Sequence, residues 1–571
     1  MKKTSRILGL FLGSVFMLAG CNFGGGAGAS TSSDDPSLKD WREENTNCTF
    51  TASTYEGLNE VEDLVQYQKD VRTHHEDDNG VIISPYYELE INGQTVPVYA
   101  TRTTNSIHSF AYLDVEKTDE NFALNTVLKF REKSTVLDEV WFETGETTVD
   151  VLPESAGVKA TIREEEVTCV IRDFGSFSFV FNKFHQEPLT LFVAEKEDKE
   201  ELFGNYDVVY FEPGDYSTIE AREQFNFKGE DTVYYLKPGR YKVDCFVLPS
   251  NSILYLEQGA YVELIPWKSS WETGNKGLLV DNKENVKVAG RGLIDYSLCC
   301  GSVASEERHP GKSGLYMQYS DNVSFSGVTV INSPTWTLCM VDCEGVQIDN
   351  CMFYAYRVYA DGIMLSDCKN AIVEDSFIRT GDDAFETKST SASGLTDNVL
   401  FRNNAAWTDK AIAYGCIYES NHDTRNVRFE NCSVGFALGT WSAHLGCCAV
   451  QMGNRLGATM ENITFENIEV FASYNAGVCN VFTGGSGGQG IGWGHVNNIY
   501  FKDINIKYNY GAVLSLHTYD EDSLIEHLYL DNVVSEGVLI TKENFMDKNY
   551  FRNEVIGGYD ADTYLHFNTR S

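Results

Sequence analysis

Three aspartates stand in two short motifs of this chain. Asp361 lies in the stretch YADGIMLS, and Asp382 and Asp383 lie in RTGDDAFETKS. Carboxyl groups that are brought close together repel one another unless one is protonated or they share a ligand. General acid–base chemistry needs this arrangement, because a protonated carboxyl donates a proton while an ionised one activates water. We therefore treat the three aspartates as candidate catalytic residues.

The aspartate motifs lie inside a repeat that must position them. A six-residue pattern such as NVLFRN or NITFEN returns eight times. Its copies begin at Asn322, Gly345, Asn370, Asn398, Asn426, Asn462, Asn498 and His527. Each copy has apolar residues two apart, which is the period of a half-buried strand. The asparagine, aspartate and glycine residues around each copy tolerate the left-handed backbone of a sharp turn.

The copies begin 23 to 36 residues apart. A strand, a turn and a strand repeated at this spacing predict the coils of a right-handed parallel β-helix. Equivalent side chains of successive coils then stack inside the helix. We expect an internal ladder of these residues: Ile348, Val373, Phe401, Phe429, Phe465 and Phe501. Asp361 and Asp383 begin strands one coil apart, so stacking should bring their carboxyl groups together.

Strand alternation creates a difficulty for Asp361. It places this residue in phase with the apolar Ile363 and Leu365, so its side chain is expected to point inward. The side chain faces solvent only if the backbone is still turning there, which Gly362 and Gly381 permit.

The chain divides into four predicted segments, and the fold class is all-β. Residues 1–21 form a signal peptide, 22–44 a flexible linker, 45–225 an antiparallel β-sandwich and 226–571 the parallel β-helix. The sandwich is expected to cap the open first coil, which would otherwise be an aggregating edge. A carbohydrate-binding role for the sandwich is the alternative.

The first 21 residues predict export and lipid anchoring. Basic residues precede a short apolar run, which is too short to span a bilayer and ends in LAGC. This ending resembles the lipobox of bacterial lipoproteins, in which the cysteine, here Cys21, becomes lipidated. We expect an exported protein at the cell surface or in the periplasm, held to the membrane through Cys21.

Net charge and cysteine spacing indicate which ligands and partners to expect. The formal net charge is −38, which repels nucleic acid, so we expect no nucleic-acid partner. The chain has 15 cysteines, so 14 remain after Cys21, in no spacing typical of zinc sites. Cys351 and Cys432 recur at one phase of the repeat and are expected to be buried. We expect a monomer with no cofactor and no metal.

The two motifs within this repeat resemble glycoside hydrolase families 28 and 49, the polygalacturonases and the dextranases. The resemblance covers residues 230–535 and implies a polysaccharide substrate and hydrolysis with inversion. It implies that Asp382 is the general acid, while Asp361 and Asp383 hold and activate water. The dextranase family also carries a sandwich before its helix.

The chain departs from polygalacturonases at two places. Asp409 and Lys410 stand where a Gly-His-Gly segment is expected, and no Arg-Ile-Lys triplet occurs. A neutral or unusual polysaccharide therefore fits better than galacturonan. The side chains that we expect to bind substrate lie on the strand of Asp382 and the next two coils: Glu386, Lys388, Asp409, Lys410, Trp441 and His444.

Two other functions stay open from the sequence. A calcium-dependent polysaccharide lyase would use the aspartates as metal ligands, with Lys388 or Lys410 as the base. A glycan-binding surface protein would need no chemistry at all, although the three clustered acids argue against it.

Overall fold

The computed structural model describes residues 46–569, except for 59, 61–79, 105, 138–146, 267–275, 300–312, 358, 392–393, 418, 440–445, 453–457, 475–476, 484–493, 519–524, 546–550 and 554–560. The described residues all belong to one compact unit, Glu44–Ser571.

Two mainly antiparallel sheets form a sandwich in the first part of the described chain. One sheet contains Cys48–Ala52, Ile82–Ile83, Tyr99–Arg102, Ile107–Lys117, Val149–Leu152, Gly175–Phe181 and Leu189–Glu195. The other contains Tyr87–Ile91, Gln94–Val96, Leu124–Phe130, Thr161–Arg163 and Glu166–Ile171. Their inward side chains, such as Leu89, Leu113 and Phe179, form one hydrophobic core.

Two long sheets form the parallel β-helix. We call the larger one the long sheet, and its strands are Asp207–Phe211, Gly214–Asp215, Thr232–Leu236, Gly239–Val243, Ser252–Leu256, Ala260–Leu264, Glu284–Gly290, Leu293–Asp295, Asp321–Ser326, Thr329–Ile331, Glu344–Asp349, Met352–Ala355, Lys369–Glu374, Phe377–Thr380, Thr396–Arg402, Ala405–Thr408, Thr424–Ala437, Ala458–Ser473, Gly494–Asn509, Ile525–Ser535, Val538–Leu539 and Leu565–Phe567. We call the other the site sheet, with strands Phe246–Val247, Lys276–Asp281, Ser313–Gln318, Leu338–Val341, Ile363–Ser366, Phe385–Lys388, Tyr414–Cys416, Gly446–Met452, Gly477–Thr483, Leu514–Thr518 and Phe551–Asn553.

Helices are short and few in the described residues. The α-helices are Lys199–Phe203, Ile219–Gln224 and Ala561–Tyr564, and the 3-10 helices are Glu154–Ala156 and Ser297–Cys299. In that same part of the chain, no helix has the length and apolar character needed to cross a membrane.

The repeat predicted the register of the coils. Phe401 pairs with Phe429, and Phe465 pairs with Phe501. The rings of Phe401, Phe429, Phe465 and Phe501 stack with successive centroid distances of 4.7, 4.7 and 5.3 Å. The first residue of every repeat copy adopts a positive φ between 50° and 71°, as a left-handed turn residue does. The internal ladder is confirmed.

The sandwich packs on the side of the β-helix. Phe110 and Tyr112 join Tyr354, Phe377 and other coil residues in one mixed aromatic cluster. The first coil is covered instead by Phe225 and Phe227, which follow the helix Ile219–Gln224 and pack on Phe211. The prediction that the sandwich caps the first coil is therefore wrong, because this short helical segment covers the core there.

The predicted fold class is confirmed, with a sandwich followed by a parallel β-helix. Parallel pairing already begins at Asp207, ahead of the predicted boundary at residue 226. Cys351 and Cys432 are buried as expected. The thirteen cysteines within the described ranges are all free thiols.

Candidate active site

Asp361 and Asp383 occupy equivalent positions on successive coils. Ile363 pairs with Phe385 across the site sheet. The Gly362 N–H donates to the Asp383 carbonyl oxygen at 2.8 Å, which fixes the two aspartates one above the other. The predicted stacking of the two motifs is therefore confirmed.

The backbone turns at Gly362, which resolves the difficulty with Asp361. A Cβ on Gly362 would lie 2.7 Å from Cγ2 of the core residue Ile378, so this position faces inward, as Ile363 does. Because Gly362 and Ile363 both face inward, the alternation of inward and outward side chains shifts by one residue. Asp361 therefore faces the outer side of the site sheet, and its Oδ2 lies 3.5 Å from Nζ of Lys388. The inward orientation expected from strand alternation is wrong.

A lysine pairs with three carboxylates at this position. Besides contacting Asp361, Nζ of Lys388 lies 3.1 Å from Oε2 of Glu386 and 3.1 Å from Oε2 of Glu419. Carboxyl oxygens of Asp361, Asp383 and Glu386 come within 4.8 Å of one another, a spacing that a cation bridges. The Lys388 ammonium supplies positive charge at this group, and the side chain is only 4% exposed.

Asp382 lies outside this compact group of three carboxylates. Its Oδ2 accepts a hydrogen bond from the Tyr359 backbone N–H at 3.0 Å. Gly381 precedes it, and a Cβ there would lie 2.6 Å from the Arg357 carbonyl oxygen, so the chain passes too close for any side chain. Asp382 is 6% exposed and Asp383 is 7% exposed. Both are largely buried in the turn that leads into the site sheet.

Burial and mutual repulsion raise the pKa of every acid in the cluster. Burial raises the pKa of Asp382 to about 7, and Lys388 opposes this rise. Burial raises the pKa of Asp361 well above its ordinary value, and Glu386 raises it further. The pKa of Asp383 is raised well above its ordinary value by burial and then by Asp382. The cluster therefore retains protons near neutral pH, as a general acid requires.

Glu386 and Lys388 lie beneath the aspartates rather than at the surface. Glu386 is fully buried, and burial raises its pKa while Lys388 lowers it. The pKa of Lys388 is raised well above its ordinary value because Glu386 and Asp361 outweigh burial. The sequence pattern had assigned both side chains to substrate contact. In the structure they support the aspartates electrostatically.

Asp409 lies at the contact with the sandwich. Its Oδ1 accepts hydrogen bonds from Nε and Nη2 of Arg379 at 3.3 and 3.0 Å. Its Oδ2 accepts from the Thr104 backbone N–H at 3.0 Å. Both oxygens are engaged and the residue is buried, which corrects the prediction that Asp409 binds substrate.

Of the four other residues singled out from the sequence, the structure describes one, Lys410. Lys410 is half-buried, and burial lowers its pKa while Asp382 and Asp409 oppose the change. Trp441, His444 and Cys21 lie outside the described residues.

Sequence reasoning missed three groups that contact the cluster. Glu419 pairs with Lys388, the Trp336 ring centroid lies 4.9 Å from Nζ of Lys388, and Tyr359 donates its N–H to Asp382. Trp336 precedes the strand Leu338–Val341, one coil before Asp361, so coil alignment alone could have found it.

Comparison with known protein families and sequences agrees with this geometry. A family model described as a right handed beta helix region matches residues 303–447, in line with the predicted handedness. A polygalacturonase of Chamaecyparis obtusa is 24% identical over 190 residues, covering 32% of this chain and 33% of that protein. Exopolygalacturonase B of Aspergillus niger is 23% identical over 192 residues, covering 32% of this chain and 34% of that protein. The matched part thus spans about a third of these relatives.

A solved structure matches far more of the chain. Dex49A from Penicillium minioluteum superposes with a TM-score of 0.58 at 12% identity, covering 91% of this chain and 100% of that protein. At this identity the match concerns the fold alone. The chain therefore resembles polygalacturonases in part of its sequence and Dex49A over most of its fold, as the two aspartate motifs predict.

Proposed function

We propose that this protein is a glycoside hydrolase that cleaves a polysaccharide with inversion. The observation that carries the proposal is the placement of Asp361 and Asp383 at equivalent positions of successive coils, with Asp382 beside them. The partial sequence similarity to a polygalacturonase and an exopolygalacturonase supports glycosidase activity.

Asp382 acts as the general acid. Its pKa of about 7 leaves a large protonated fraction at neutral pH, so it donates a proton to the glycosidic oxygen. The Tyr359 N–H holds Oδ2, which orients the carboxyl in the turn.

Asp361 and Asp383 hold and activate the attacking water. Oδ1 of Asp383 accepts the Ile412 backbone N–H at 2.9 Å, which fixes this carboxyl. Burial and the neighbouring acids keep the pKa of both aspartates raised, and Lys388 opposes that rise, which reduces the cost of ionising the carboxyl that acts as the base. Inverting enzymes need an acid and a base about 6.5–9.5 Å apart, with room for water. Asp382 lies outside the group of Asp361, Asp383 and Glu386, whose carboxyl oxygens are within 4.8 Å of one another.

A neutral polysaccharide fits this site best. Lys388 is already paired with three carboxylates, and the chain carries a net charge of −38, so an acidic polymer meets repulsion. The sequence also lacks the Arg-Ile-Lys triplet that polygalacturonases use for galacturonate. We propose a neutral sugar at the cleaved bond, with the linkage to be identified by experiment.

The test is hydrolysis of a glycan panel by the protein and its Asp382→Asn variant. Dextran, pullulan, polygalacturonan and rhamnogalacturonan are incubated with and without chelator, and reducing ends are measured. The matched control is Asp375→Asn, a turn aspartate on the other side of the coil. We expect one polymer to release reducing ends with the parent and the control but not with Asp382→Asn, and chelator to have no effect.

Two other results would replace the proposal. An unsaturated, ultraviolet-absorbing product that disappears with chelator would identify a calcium-dependent lyase. The raised pKa of Lys388 argues against it as the base of such a reaction. Polymer binding without any product would identify a glycan-binding protein.

We also propose export and lipid anchoring through Cys21. The support is the basic start, the short apolar run and the LAGC ending of the first 21 residues. Expression in a bacterium with radiolabelled palmitate should label the protein and place it in the membrane fraction. Cys21→Ser should abolish both, and label that persists in this variant would refute the anchor.

A further inference from the structure

Two exposed tyrosines lie on the same turn of the β-helix as the catalytic aspartates. The Tyr474 N–H donates to the Ala437 carbonyl oxygen and the Tyr510 N–H to that of Ser473, each at 2.8 Å, so the two residues are equivalent on successive coils. Each follows a strand of the long sheet and precedes one of the site sheet, as Asp382 does.

The order of strands gives their distance from the acid. Between Phe385–Lys388 and Gly477–Thr483 the site sheet advances by three strands, and Leu514–Thr518 is the fourth. With a rise of about 4.8 Å per coil, Tyr474 lies roughly 14 Å and Tyr510 roughly 19 Å along the helix axis from Asp382. Only a ligand with several sugar rings spans this distance.

The two rings stack on each other and are exposed to solvent. Their centroids are 4.4 Å apart with planes inclined by 12°. Tyr474 is 43% exposed and Tyr510 is 61% exposed. The next long-sheet strand, Ile525–Ser535, reverses into the antiparallel strand Val538–Leu539, so the regular coil path does not continue over Tyr510. This reversal explains the high exposure of its ring.

An exposed aromatic ring suits the apolar C–H face of a pyranose. Aromatic residues supply a large contact area and lose little side-chain entropy on binding, since the stack already fixes them. Tyrosine adds a hydroxyl that exchanges hydrogen bonds with sugar hydroxyls.

We infer that Tyr474 and Tyr510 form a distal binding site for a sugar ring of the same polysaccharide chain whose bond is cleaved beside Asp382. This inference rests on the proposed function and extends it. The substrate is a polymer that lies along the helix axis and contacts the protein several residues away from the cleaved bond.

Kinetics on long and short substrates test this site. The variants are Tyr510→Ala and the double variant Tyr474→Ala with Tyr510→Ala, compared on the hydrolysed polymer and on its trisaccharide. The matched control is Tyr319→Ala, which removes a tyrosine that is 54% exposed on a different turn, after the strand Ser313–Gln318. Tyr510→Trp retains an aromatic face.

The expected result is a change in the KM ratio. Loss of Tyr510 should raise KM for the polymer about tenfold relative to KM for the trisaccharide, with kcat little changed. The double variant should raise the ratio of the two KM values at least as much. Tyr510→Trp should keep this ratio near that of the parent. Equal ratios for Tyr510→Ala and Tyr319→Ala would overturn the distal site while leaving the hydrolase intact.

A binding measurement separates failure of the site from failure of the hydrolase. Affinity electrophoresis through gels containing each polymer is run with Asp382→Asn and with Asp382→Asn combined with Tyr510→Ala. Retardation that weakens on loss of Tyr510 supports the site even if the parent releases no product. Retardation that is unchanged by loss of Tyr510, or absent on every polymer, refutes it.

Discussion

Replacing Lys388 with methionine removes the positive charge from the carboxylate cluster and keeps a side chain of similar length. In the parent, Nζ of Lys388 lies 3.5 Å from Asp361 and 3.1 Å from Glu386, and all three side chains are at most 4% exposed. The third partner, Glu419, is 50% exposed and contributes little because solvent screens it. Breaking a buried ion pair on one side costs about 3–5 kcal/mol of unfolding free energy.

The loss should depend on pH in a defined direction. Lys388 lowers the pKa of Asp361 and Glu386, although burial keeps both above their ordinary values. Without Lys388 both pKa values rise further. Groups whose folded pKa lies above the unfolded value are stabilised when protonated and lose that stability as pH rises through the folded pKa. The destabilisation should therefore be larger at pH 8 than at pH 5.

Urea unfolding at pH 5 and pH 8 measures this effect. The matched control is Lys369→Met, an exposed lysine at the start of the strand Lys369–Glu374. Terbium luminescence adds a second measurement, because the compact carboxylate group then lacks its ammonium and Trp336 stands close enough to excite a bound ion. A variant as stable as Lys369→Met at both pH values, with no terbium signal, would refute the view that Lys388 neutralises the cluster.

Three further predictions follow from single contacts. Activity should fall as pH rises above about 7, since Asp382 must be protonated; a pH–rate profile of the panel substrate that is flat from pH 6 to 9 would contradict its role as acid. Phe429→Ala should lower the free energy of unfolding, measured with urea, by about 3–5 kcal/mol, because it leaves a cavity in the middle of the phenylalanine ladder. A decrease below about 1 kcal/mol would mean that the neighbouring rings move to fill the cavity. Gly362→Ala should lower the free energy of unfolding by about 1–3 kcal/mol and reduce kcat, because its Cβ would lie 2.3 Å from the Ala384 carbonyl oxygen. Unchanged kcat and stability would show that the backbone of this turn moves to accept a side chain.

The sequence predicts features that depend on the repeat. The ladder through Phe401 and Phe429 and the stacking of Asp361 on Asp383 both follow from side-chain period and coil length. The outward direction of Asp361 does not follow from alternation, because Gly362 and Ile363 both face the core and reverse the phase.

Features that depend on distant contacts are not visible in the repeat. Asp409 stands where polygalacturonases carry a histidine segment, yet its carboxylate binds Arg379 and the backbone of Thr104, 305 residues away in the chain. The side-on position of the sandwich likewise depends on aromatic contacts such as Phe110 with Tyr354. No local pattern reports such pairings.

The anomeric configuration of the first product distinguishes hydrolysis with inversion from hydrolysis with retention. Once the panel identifies a hydrolysed polymer, proton NMR follows the anomeric signals during the first minutes of its reaction with the parent protein, and again with Asp382→Asn. We expect a newly formed reducing end whose configuration is opposite to that of the cleaved bond, and no signal from the variant. A first product that retains the original configuration, or a variant that forms product at the parent rate, would contradict inversion by this aspartate trio.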